Sequence, residues 1–90
     1  MASYKVYTVT IKQSVAKDLR TIPNADVRRI LDRIQTLATN PRGDGCVKLA
    51  GQERYRARQG VYRIVYEIHD DRLVVIVVKV GHRSGIYETR

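Results

Sequence analysis

The sequence predicts a single small α+β domain spanning residues 1–90, ordered β-α-α-β-β-β, with a two-helix hairpin packed on a mainly antiparallel four-stranded sheet. Three observations carry this prediction. A β-branched and aromatic segment opens the chain. A continuous apolar stripe of helical period follows. The C-terminal half alternates strand-like runs with short turn signals. With 90 residues there is room for one core and no second domain.

Lys5 to Ile11, Lys-Val-Tyr-Thr-Val-Thr-Ile, reads as the first strand. Val15, Leu19 and Ile22 recur at helical spacing and predict a short helix from Gln13 to Ile22. Pro23 breaks it, because the residue before a proline is pushed out of the helical region, and Asn24 is expected to cap the next helix. Val27, Ile30, Leu31, Ile34, Leu37 and Ala38 make one stripe on that second helix, with Asp26 in its first turn and Asn40-Pro41 ending it. Pro41 to Gly51 holds Gly43, Gly45 and Gly51 and reads as a loop. Arg54–Arg58, Tyr62–Ile68 and Leu73–Val80 then form a meander, with Gln59-Gly60 and His69-Asp70-Asp71 as its turns. Gly81 reads as a turn leading into a polar tail.

The chain carries 17 Lys+Arg against 9 Asp+Glu, a formal charge of +8, with 43% apolar and 29% charged residues. That is globular composition with a surplus that suits a polyanionic partner. The first five residues carry no apolar run of the signal-peptide kind, and Leu73–Val78 falls far short of the ~18 residues a membrane span needs, so no membrane partner is expected. One cysteine, Cys46, excludes an intrachain disulfide framework and fits a reducing cytoplasm. It reads as a loop thiol with no basic partner in view. No glycine-rich phosphate loop precedes a helix, which excludes nucleotide hydrolysis of that kind. His69-Asp70-Asp71 reads as a turn in preference to a metal site, and no cofactor is expected.

Strand parity sorts the meander into two faces. Tyr62, Ile64, Tyr66 and Ile68 share one face with Tyr55 and Ala57, which meets the helices. The other carries Arg54, Arg56, Arg58 and Arg63, together with Val65 and Glu67. A turn at Gln59-Gly60 is expected to pair Tyr55 with Ile64, Ala57 with Tyr62 and Arg56 with Arg63. Like charges placed cross-strand destabilise a bare sheet, so such a pair fits a bound anion, and guanidinium forks suit phosphate oxygens. A merely solvated basic face is the alternative. His82 is a candidate for proton transfer, and Tyr87 for stacking on a base.

Lys48-Leu49-Ala50-Gly51, Tyr55-Arg56-Ala57-Arg58, Tyr62-Arg63-Ile64-Val65-Tyr66, Val80-Gly81-His82-Arg83 and Tyr87, in that order, resemble the RelE/ParE superfamily of small bacterial toxins, RelE branch. The resemblance covers nearly the whole chain. It implies the toxin of a type II toxin–antitoxin system: a ribosome-dependent mRNA endonuclease that enters the ribosomal A site and cuts the codon by 2′-hydroxyl attack, without metal. It places the site on Arg56, Arg58, Arg63, Arg83 and Tyr87; Lys48 and Arg54 are expected to contact RNA beside Arg56, Arg58 and Arg63. It also implies a cognate RelB-like antitoxin in a toxin–antitoxin hetero-oligomer. RelE members commonly carry lysine where Arg56 and Arg58 stand. Arginine does not lose its proton, so a general base falls to Tyr87, His82 or Glu67. A ParE-like protein that binds DNA gyrase and a noncatalytic RNA-binding module are the alternative readings.

Overall fold

The computed structural model describes residues 6–82. In chain order the elements are β1 (Thr8–Ile11), α1 (Gln13–Arg20), α2 (Asn24–Thr36), β2 (Val47–Lys48), β3 (Tyr55–Gln59), β4 (Tyr62–His69) and β5 (Val74–His82). The strands form one sheet in the order β1-β5-β4-β3-β2, with β1 parallel to β5 and the other neighbours antiparallel. The sheet therefore has five strands where four are expected. The extra one, β2, is two residues long and lies inside the segment read as a loop, too short to carry an alternation pattern.

Both helices lie against one face. Val15, Ile22, Ile30, Ile34 and Leu37 pack there on Ala57, Ile64, Tyr66, Val75, Val77 and Val80. Lys17 and Arg20 in the last turn of α1 suit the negative end of its dipole. α2 is capped by Pro23 and not by Asn24, which is its first helical residue. Proline supplies the extended geometry through its fixed φ, here −56°, and its carbonyl accepts the N–H groups of Asp26 and Val27, both at 2.9 Å. The α-helix ends at Thr36, two residues short of the stripe. Leu37 and Ala38 continue in a tighter i→i+3 pattern, to the carbonyls of Ile34 and Gln35, and Leu37 is fully buried.

The β3–β4 hairpin turns on Gly60-Val61, with Gly60 at φ +61° and Val61 at negative φ. That is the two-residue connection with glycine first, which matches the twist of paired strands. It pairs Tyr55 with Tyr66, Ala57 with Ile64 and Arg58 with Arg63. The expected register, with Arg56 opposite Arg63, is thus displaced by two residues. The two faces are unchanged, because a slip of two preserves parity.

β5 carries a β-bulge opposite Val65/Tyr66. Val65 pairs with Lys79 and Tyr66 with Val77, so Val78 is the extra residue. The bulge re-phases the strand and lets Val77 and Val80 both enter the helix-side core. Val78 instead joins Val65, Leu49 and Ile76 in a small apolar cluster on the other face. Gly81 is not a turn: the strand runs through it, and it pairs with Arg63.

The His69-Asp70-Asp71 turn is a structural hub. Asp70 takes Arg42 through both guanidinium nitrogens, at 3.1 and 2.8 Å, and accepts the Tyr7 hydroxyl at 2.5 Å. Arg42 also lies 5.4 Å over the Tyr55 ring. Close by, the buried Tyr66 hydroxyl donates to the Pro41 carbonyl at 2.5 Å, and burial first of all holds its pKa above that of a free phenol. The loop after α2 is thereby fastened to the sheet at both Pro41 and Arg42. No helix among the described residues is long and apolar enough to cross a membrane.

Candidate functional site

The face of β3 and β4 that the helices leave uncovered is built by the pleat alone. Side chains at alternate positions leave the same side of the sheet, so Arg56 and Arg58 of β3 emerge beside Arg63, Val65, Glu67 and His69 of β4. At the hairpin end Arg58 stands directly across from Arg63, and both line a small depression with Gly60 and Tyr62. Arg63 is only 7% exposed, unusual for a side chain that carries permanent charge. Its other cross-strand neighbour is Gly81, which presents no side chain beside it. Arg56 comes next along the sheet, half-buried between Val47 of β2 and Val65 of β4.

Two cations opposed across a ladder repel, and burying one of them strengthens the repulsion by lowering the local dielectric. An anion lodged between the forks relieves both costs. Arg58 is the more exposed partner, and its backbone carbonyl accepts a hydrogen bond from Arg33 Nε at 3.3 Å, tying this end of β3 to α2.

Further along the same face the charges are balanced. Arg54 Nε lies 3.3 Å from Glu67 Oε2, and Glu67 Oε1 lies 3.1 Å from His69 Nε2. The bond from His69, and after it that from Arg54, hold the Glu67 carboxyl below its ordinary pKa, with burial opposing them. Parity of β4 places Glu67 and His69 on the arginine side, and the sequence reading named Glu67 only as a possible base. Each of its oxygens instead holds a basic neighbour, four residues along β4 from Arg63.

The structure does not bring every candidate to this face. Lys48 pairs with Tyr55, so it takes the opposite parity, and its ammonium lies 3.4 Å from Glu53. His82 pairs with Tyr62 and its ring meets the Tyr62 ring edge-on at 6.0 Å, on the helix side of the sheet. There the Tyr62 hydroxyl reaches Asp26 at 3.4 Å, and burial, then Asp26, hold its pKa up. Arg83 and Tyr87 lie outside the described residues. Cys46 does have a basic neighbour: Arg33 Nη2 donates to its sulfur at 3.5 Å, a contact between α2 and the loop that sequence spacing does not reveal. Among the described residues no group of His, Cys, Asp and Glu is arranged to hold a metal ion.

The two-helix, mixed-sheet scaffold that carries this face is matched by known proteins along nearly the whole chain. The family model for the ParE toxin of the type II toxin–antitoxin system parDE matches residues 9–87. The chain belongs to this toxin family. Within it the toxin is RelE-like. It is 31% identical over 86 residues to a putative toxin RelE1 of Methanocaldococcus jannaschii, covering 91% of this chain and 96% of that one. It is also 31% identical over 85 residues to toxin RelG of Mycobacterium tuberculosis, covering 90% and 95%. Its fold matches a chain of the archaeal RelE–RelB complex from Pyrococcus horikoshii OT3 with a TM-score of 0.78, at 31% identity, over 89% of this chain and 98% of that chain.

Proposed function

We propose that this RelE-like toxin is an mRNA endoribonuclease that cleaves the codon in the ribosomal A site. The observation that carries the reading is the opposition of Arg58 to the buried Arg63, with Arg56 beside them, on the sheet face the helices leave open. In the reaction a ribose 2′-oxygen attacks the adjacent phosphorus. The O2′–P bond forms, the P–O5′ bond breaks, the 2′ proton passes to a base and the 5′ oxygen gains a proton. Extra negative charge develops on the non-bridging oxygens. Arginines fixed on paired strands suit that charge because they need no reorganisation when it appears. In this reading Tyr87 is the base and Arg83 a further phosphate ligand, while Glu67 is engaged by Arg54 and His69.

The likeness to RelE–RelB complexes supports a cognate RelB-like antitoxin in a hetero-oligomer, its acidic side chains set against the arginine face. Action in the cytoplasm, on ribosome and mRNA, follows from the same reading. The test is purified toxin in a cell-free translation reaction with mRNA ends mapped by primer extension. Cuts at codons are expected only when ribosomes are present, with Arg63→Ala lowering the rate at least about 100-fold, the size of a lost transition-state charge contact. Intact mRNA in the wild-type reaction would sink this reading. Inhibition of DNA supercoiling in its place would favour the alternative of a toxin that binds DNA gyrase.

A further inference from the structure

Between Arg63 and the far end of β4 the open face changes character twice. Beyond the arginines lies the apolar cluster of Val65 and Val78, flanked by Leu49 and Ile76. Beyond that opens a cleft of about 520 Å³ lined by Gln52, Glu53, Arg54, Glu67, Ile68 and His69. Cations and a mixed polar cleft, joined across one sheet by a largely buried apolar floor, make a sequence of surfaces that a single strand of RNA engages by phosphate and by base edge.

We infer that this cleft is a nucleobase subsite, reading one base of the RNA strand whose phosphate sits at Arg58 and Arg63, and that it prefers a base carrying an exocyclic amine. The inference rests on the RNA-cleaving reading of the same face. Three observations support it. First, the cleft volume falls in the range of small-ligand sites, which accommodates a base. Second, its charge is balanced: Glu67 is paired with Arg54 and Glu53 with Lys48, so it offers no surplus positive charge to hold a phosphate. Third, Glu67 is held in place from two sides by Arg54 and His69. Each carboxylate oxygen has a second lone pair, so a fixed Glu67 still accepts an amino N–H from cytosine, adenine or guanine. Uracil offers a carbonyl oxygen there instead, set against a carboxylate. Glu67 lies four residues along β4 from Arg63, roughly 13 Å at the rise of a strand, within the few nucleotides a small sheet face spans.

The experiment uses 5′-fluorescein tetranucleotides with a 2′-deoxy sugar at each position in turn, varied between cytosine and uracil one position at a time. Binding is followed by anisotropy with the intact toxin. At one position the wild type is expected to favour cytosine by about fivefold or more, the size of a good base-edge contact. Glu67→Gln and Arg54→Gln should bring that ratio below about twofold, with circular dichroism unchanged. Arg63→Ala should weaken all oligonucleotides alike and leave the ratio intact. A wild type that discriminates at no position, or a ratio that survives Glu67→Gln, overturns the subsite. Failure of the nuclease reading looks different: mRNA stays whole in the translation reaction while the cytosine preference persists. Cleavage without any cytosine preference is the reverse case.

Discussion

Single side chains on the open face divide by what neutralises them. Arg54 has Glu67, and Glu67 has His69 as well, so that end of the face is internally compensated. Arg58 and Arg63 oppose each other across the β3–β4 ladder, and an anion set between their forks would lower that repulsion. The Glu67 arrangement carries a prediction about acid stability. Its carboxyl has a folded-state pKa below the ordinary 4.5, so the unfolded chain binds the proton more tightly. The stabilisation is present above about pH 4.5 and is lost as the pH falls through the folded value. Urea midpoints measured from pH 6 down to pH 3 should therefore drop less for Glu67→Gln than for wild type, and identical slopes would show that the pair contributes nothing. At this scale the sequence was most legible where parity alone decides, as for Arg56, Arg58 and Arg63. It was silent on Lys48 and His82, whose sides depend on the register of β2 and on the bulge in β5.

Elements were legible to the extent that each had its own pattern. α2 has a stripe of full helical period, and β3 and β4 alternate, so their faces follow from the residues. β5 does not alternate: Val74 to Val78 is apolar throughout, and no periodicity marks Val78 as the residue that slips out of the helix-side core. The hairpin register was misplaced because two-residue turns at Gln59-Gly60 and at Gly60-Val61 preserve the same parity, and only the backbone at Gly60 distinguishes them. That glycine bears a second prediction. Its φ of +61° is a region where a side chain is strained, and no atom crowds the place a Cβ would take. Gly60→Ala should cost about 1 kcal/mol, through conformation and not packing, read as a lower urea midpoint with unchanged m-value. Because the turn sets the distance between Arg58 and Arg63, the same variant should also slow cleavage.

At the scale of the whole molecule, the formal charge of +8 pointed to a polyanion without saying which surface meets it. The fold gives that charge a direction by gathering Arg56, Arg58 and Arg63 on one face. If those three contact phosphates, the log–log dependence of RNA binding on salt should have a slope of about −2, at roughly 0.7 per phosphate for a single strand. Titrations of one oligonucleotide between 50 and 200 mM salt would measure it, and a slope near zero would remove the face from the contact. Fold class was readable because so short a chain allows one core and each main element carries its own pattern. The fifth strand was not readable, since two residues of β2 gain their strand character only from pairing with Arg56 and Tyr55.

The strand order has a consequence for when such a molecule comes into being. β5, last in chain order among the described strands, lies inside the sheet, with β1 on one side and β4 on the other. Until Val74–His82 has emerged, the first strand has no neighbour, and the β3–β4 hairpin with its arginines is a fragment with one edge bare. A chain still growing on a ribosome therefore lacks the full sheet, and its arginine face gains its last neighbour only once β5 has emerged and paired with β4.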